Sequence, residues 1–96
     1  MQSNVIVITS DSTANYTYTT NMVDCTNGNI NISFGKISDY YGDGSHFYVI
    51  KTDATANTIT LVPYSGETLN NLSTYVMPTS HIHIMCFGTN WYILSE

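Results

Sequence analysis

The chain has 96 residues, a formal net charge of -5 and only 9% charged side chains, against a usual ~25%. Two lysines, Lys36 and Lys51, are its only strong cations; this argues against a basic nucleic-acid surface and against attraction to an anionic membrane. Aromatic residues reach 12%, which excludes the disordered class, and no apolar run approaches the ~20 residues of a membrane span.

Roughly a third of the residues are Thr, Ser and Asn, which turns the composition away from helix and toward strands and turns. A chain of this length buries only about two-thirds of its unfolded surface, so a lone core is modest and oligomerisation, a metal or crosslinks would help it. Residues 1–96 read as a single domain. The first residues carry no basic segment of a Sec-type signal.

Taken in chain order, Asn4–Thr9 is a continuous β-branched run, predicted to be a strand buried on both faces. Asp11–Ala14 reads as a turn, and Tyr16 and Tyr18 then alternate with Thr17 and Thr19 as in a strand. Met22–Cys25 leads into Asn27-Gly28, a strong hairpin signal, after which Ile30, Ile32 and Phe34 share one face. Gly35–Ser45 is the longest loop. A second hairpin is expected from His46–Thr52 and Thr58–Pro63, with Pro63 at a strand end because it cannot donate to a ladder. Short strands follow at Thr68-Leu69 and around Tyr75. A last hairpin joins His81–Phe87 to Trp91–Ser95 through Gly88-Thr89-Asn90. The expected fold is all-β: a small antiparallel sandwich or barrel-like domain of about eight or nine short strands.

Cys25 and Cys86 lie in apolar strand-like runs, where buried thiols are commoner than a disulfide. Three Asn-x-Ser/Thr sequons, at Asn15, Asn31 and Asn71, matter only on a eukaryotic secretory route.

His81 and His83 are two residues apart on one strand and therefore project from one face. Two imidazoles are too few to close a metal site, but three chains around a threefold axis would bring six and could cage a transition metal. The bland alternative is a polar strand face against solvent or a neighbouring subunit. No nucleophile motif such as Gly-x-Ser-x-Gly is present, and the carboxylates fall mostly in turns, so the chain reads as non-enzymatic. The loop carrying Tyr40, Tyr41 and Asp43, together with His46, is the candidate receptor or ligand contact: carboxylates for a cation, rings for stacking on a sugar. Its own bland reading is a glycine-hinged loop whose rings pack on the sheet.

The segment from Phe47 to Leu94 resembles a pattern near the C-termini of viral, mainly bacteriophage, tail-fibre, head-fibre and spike proteins. The matching residues are Val49, Lys51 and Asp53; Asn57 to Leu61; Gly66, Glu67, Thr68 and Leu69; Tyr75; and Gly88 to Ile93. The upstream Thr26-Asn27-Gly28 and Ile30, Ile32 run is similar to the segment preceding that pattern. Phe87 departs from it, as do His81 and His83, in a strand usually rich in Ser, Thr and Val. The resemblance implies a virion surface protein, a homotrimer working beside other virion proteins, with host attachment through a glycan or protein, or capsid decoration, as its task. It also implies an extracellular setting, and some phage spikes of this kind hold iron with His-x-His motifs on a threefold axis. Edges so poor in charge fit a closed trimer that covers them. The alternative from another class is a monomeric carbohydrate-binding or adhesin-like β-sandwich.

Overall fold

A computed structural model describes residues 5–14, 20–40 and 43–96. The expected strand over Tyr16–Thr19 lies outside the described residues. Among these described residues there are ten strands: β1 Val5–Ile8, β2 Ser12–Ala14, β3 Thr20–Val23, β4 Ile30–Phe34, β5 His46–Lys51, β6 Ile59–Val62, β7 Thr68–Leu69, β8 Tyr75–Val76, β9 His81–Phe87 and β10 Asn90–Ser95. A 3-10 turn, Ile37–Asp39, interrupts the long loop.

The molecule is all-β, but its sheets are mixed rather than antiparallel. One sheet has six strands in the order β1-β3-β5-β9-β10-β7; the other has four, β2-β4-β6-β8. From β1 to β6 the chain alternates between them. Odd strands stack in parallel in the first sheet and even strands in parallel in the second. The first two-thirds of the chain is thus a flattened parallel coil, each turn resting on the next. β8 and β9 reverse the direction, pairing antiparallel with β6 and β5.

Two expected hairpins are therefore corrected. β3 and β4 do not pair with each other, nor do β5 and β6; in each case the intervening turn carries the chain from one sheet to the other. The Asn27-Gly28 signal fails for a local reason. A type I′ turn needs positive φ at both central residues. Gly28 has φ 147°, whereas Asn27 is not among the positive-φ residues. The Ser12–Ala14 segment is a strand, not a turn. The final hairpin forms as expected, with Trp91 opposite Cys86 and Tyr92 opposite Met85, and a bulge near its end between Ile93 and Ser95. Strand β6 ends at Val62, directly before Pro63.

Asx side chains and backbone bonds hold the corners of the coil together. The Asp11 carboxylate accepts from the Asn31 N–H at 2.8 Å, the Asn29 side-chain oxygen from Thr58 N–H at 2.8 Å, and Asp53 from Cys25 N–H at 2.7 Å. Backbone bonds run in parallel: Asp24 N–H to Ile8 O and Thr52 N–H to Val23 O, both 2.9 Å. Each bond satisfies a corner amide that a short turn leaves without a ladder partner. Asp11, Asn29 and Asp53 find their structural role in this way.

The core lies between the sheets. Ile30, Ile32 and Phe34 of β4, Ile59 and Leu61 of β6, and Val49, Ile82, Ile84 and Trp91 from the larger sheet are all buried. Their alternation along the strands follows the two-residue period of the pleat. Phe34, Tyr40, Phe47 and Trp91 form a ring cluster, with Phe34 and Trp91 centroids 5.1 Å apart in an edge-to-face contact. Cys25 and Cys86 are buried thiols. β1 departs from expectation: Ile8 is buried, but Val5 and Val7 face outward and Val7 is 70% exposed.

Candidate functional site

The outward face of the six-stranded sheet is built by alternate residues of its strands. β1 supplies Val5 and Val7; β3, Thr20 and Met22; and β5, His46, Tyr48 and Ile50. From β9 come His81, His83, Met85 and Phe87, and from β10, Tyr92. The register aligns them into rows: Val5, Thr20, Tyr48 and His83 form one, and Val7, Met22, Ile50 and His81 the next. Among the described residues this face carries no Asp, Glu, Lys or Arg. Several of its side chains are open to water, including Tyr48, Tyr92 and Phe87, the last 61% exposed.

The opposite face of the molecule has another chemistry. Thr13, Asn31, Ser33 and Thr60 dominate the outside of the four-stranded sheet, with Val62 and Val76 beside them. Amides and hydroxyls there suit water, while valine, phenylalanine and methionine on the first face do not. Sheets of parallel strands occur almost only with both faces covered. Here β1, β3 and β5 are parallel and largely apolar on the outside, yet nothing among the described residues covers them.

The histidines sit at the centre of this face. His81 and His83 share it, as strand periodicity requires. The imidazole that meets His83, however, is that of His46 on the neighbouring strand: His46 Nδ1 and His83 Nε2 are 3.0 Å apart. Nothing in the local sequence points to this, because period-two alternation tells which face a residue occupies and not which strand lies beside it. The antiparallel register of β5 and β9, with Tyr48 opposite His83, makes the contact. Tyr48 stacks on the His83 ring, centroids 4.0 Å apart and planes inclined 13°. Burial, and then the neighbouring His46, lower the pKa of His83 and favour its neutral form. Among the described residues, no three His, Cys, Asp or Glu side chains come together, so no closed metal site is formed within one chain.

The loop candidates divide. Tyr40 is not a surface contact: it is 3% exposed and its ring lies in the aromatic cluster. Its hydroxyl donates to Ala14 O at 2.6 Å and accepts from Gly35 N–H at 2.8 Å. Burial raises its pKa. Tyr41 lies outside the described residues. Asp43 is exposed, and its Oδ1 accepts from Gly88 N–H at 2.8 Å, tying the loop to the β9–β10 turn. With Gly44 N–H donating to Cys86 O, the segment after Tyr40 is fastened along the hairpin. Of the described members of this set, His46 alone joins the exposed sheet face.

Sequence reasoning singled out neither of two surface clefts. One, of about 330 Å³, lies beside Lys51, Asp53, Asn57 and Pro78; the other, of about 430 Å³, is lined by Ser10, Asp11, Asn27 and Asn29. In the first, Lys51 and Asp53 form a 2.9 Å ion pair, and Asp53 also accepts from Thr55 and Cys25. Those charges hold the corner of the coil together.

In comparisons with known proteins, no family model, curated protein or solved structure matches the chain.

Proposed function

We propose that this chain is a structural surface module of a virion, of the fibre, spike or capsid-decoration kind, and that it works as a homotrimer that presents several attachment sites at once. The observation that carries the proposal is the outward face of the six-stranded sheet, which is aromatic and largely apolar, with histidines at its centre and no Asp, Glu, Lys or Arg among the described residues. An uncharged partner surface suits it, and another copy of the same chain offers one. The molecule measures 35 × 34 × 21 Å. Two sheets packed about 10 Å apart fit the short dimension, so the sheet faces are its broad sides. Such a side is larger than the about 800 Å² per partner buried in a standard interface.

The parallel coil supports the same reading. Its bonds run between successive turns of the chain, so unfolding must break many long-range contacts together, which favours slow unfolding in a particle exposed to harsh surroundings. The first strands, β1 and β2, are sheet edges without a charged guard among their described residues. A neighbouring subunit covering them would remove the hazard of uncontrolled edge pairing. Host contact then comes from groups left outside the trimer, several weak contacts adding through avidity. The resemblance of the segment from Phe47 to Leu94 to viral fibre and spike proteins supplies the biological setting.

Antibody labelling of intact virus particles from the source of the sequence tests this role. Label on the outside of the particle is expected. Label confined to host cells, with bare particles, contradicts it and favours the cellular adhesin-like alternative.

A further inference from the structure

We propose that His46 and His83 form a two-imidazole clamp for a divalent transition metal of the copper, nickel or zinc class. The clamp is complete within one chain and does not depend on assembly. Two imidazole nitrogens bound to one such ion at about 2.0–2.1 Å, with an angle of about 90–110° between them, lie about 2.9–3.4 Å apart. His46 Nδ1 and His83 Nε2 stand at 3.0 Å. The ion therefore fits with almost no movement of the backbone.

The clamp is also held in place. β5 and β9 are adjacent inner strands of the six-stranded sheet, which fixes the two Cα positions. Tyr48, stacked on His83 at 4.0 Å, limits rotation of that ring. Pre-set ligands bind more tightly because less side-chain freedom is lost on binding. In the bound state His46 ligates through Nδ1 and keeps its proton on Nε2, while His83 ligates through Nε2 and keeps its proton on Nδ1. Both rings are then neutral, and the proton shared between them in the metal-free pair moves to a ring's other nitrogen, so none need leave. In the isolated chain, water fills the remaining positions. Imidazole nitrogens suit copper, nickel and zinc and are poor ligands for magnesium or calcium.

His81 stands outside the clamp. It lies two residues from His83, about 6.6 Å along the strand, and faces Ile50 in the register. This separates the clamp from a cage made by His81 and His83 of several chains.

The test is calorimetric titration of the full chain with nickel chloride and, separately, zinc chloride near neutral pH, with copper(II) electron paramagnetic resonance as a second readout. One ion per chain should bind in the micromolar range, and the copper spectrum should show two coordinating nitrogens. H46Q and H83Q should each weaken binding at least about tenfold and reduce the spectrum to one nitrogen; H81Q should change affinity by less than about twofold. Circular dichroism should show all three variants folded, since His46 and His81 are exposed and His83 is half-buried. If H83Q unfolds, H46Q decides alone. The proposal is overturned if the natural chain binds no more tightly than millimolar, if H46Q keeps its affinity, or if H81Q loses as much as H83Q. A monomer that binds the metal would leave the clamp standing and count against the trimer; a trimer without metal would do the reverse.

Discussion

Tyr48 lies flat on the imidazole of His83, the two rings 4.0 Å apart and inclined by 13° across the β5–β9 pair. The stack is partly open to water in the isolated chain, on a sheet face without charge among the described residues. A rigid ring pair with no charged neighbour is good interface material: it brings contact area at little cost in side-chain entropy.

Inserting charge on this face should break assembly and spare the fold. Phe87 and Val7 point outward and touch little of the core, so Phe87→Lys and Val7→Lys should leave the far-UV circular dichroism unchanged. Each should weaken self-association by at least about tenfold per copy, about 1.4 kcal/mol, because a buried apolar side chain of this size contributes about 1.5–3 kcal/mol. Sedimentation equilibrium measures this. Thr60→Lys, on the polar face, should leave association unchanged.

Tyr40→Phe should destabilise the monomer fold. The hydroxyl is buried and bonded to Ala14 O and Gly35 N–H, and its removal leaves both backbone groups without that partner. The expected loss is about 1–3 kcal/mol, or a fall in melting temperature of about 4–8 °C per kcal/mol, by calorimetry. A surface receptor contact at this position would change binding with no such loss of stability.

Acid should loosen the coil through Asp53. Its carboxyl is held well below the usual carboxylate range, first by the Thr55 hydroxyl and then by the Cys25 N–H and the Lys51 ammonium. A depressed folded-state pKa means that the unfolded chain takes up the proton more readily. The stabilisation is therefore fully present above the ordinary carboxylate pKa of about 4 and is lost as pH falls below it. Asp53→Asn should lower stability at neutral pH and flatten the acid limb of the melting-temperature profile. An acid limb unchanged in the variant would show that another carboxylate governs it.

The strands themselves were largely legible, and their partners were not. The alternation of Ile30, Ile32 and Phe34 against Asn31 and Ser33 marks a strand with one buried face, and β4 is that strand. The last hairpin was legible because a short glycine turn leaves its strands little choice but to pair. The coil was not, because its pairings join residues far apart in sequence, such as Ile32 with Leu61 and Asn21 with Val49. Turn chemistry says where a chain bends but not which sheet it then enters. Tyr40 was misplaced for a related reason: a loop rich in glycine and aspartate looks exposed until one of its rings is seen between Phe47 and Trp91. His46 and His83 show the same limit: each stands out in the sequence, one as a ligand contact and one as a partner of His81, but only tertiary pairing brings the two together.

The mass of the purified chain in solution tests the central claim most directly. Multi-angle light scattering at micromolar concentration should give three times the chain mass of 10.7 kDa, unchanged on moderate dilution. A single 10.7 kDa species that stays soluble at high concentration, with its valine and phenylalanine face bare, would contradict the account.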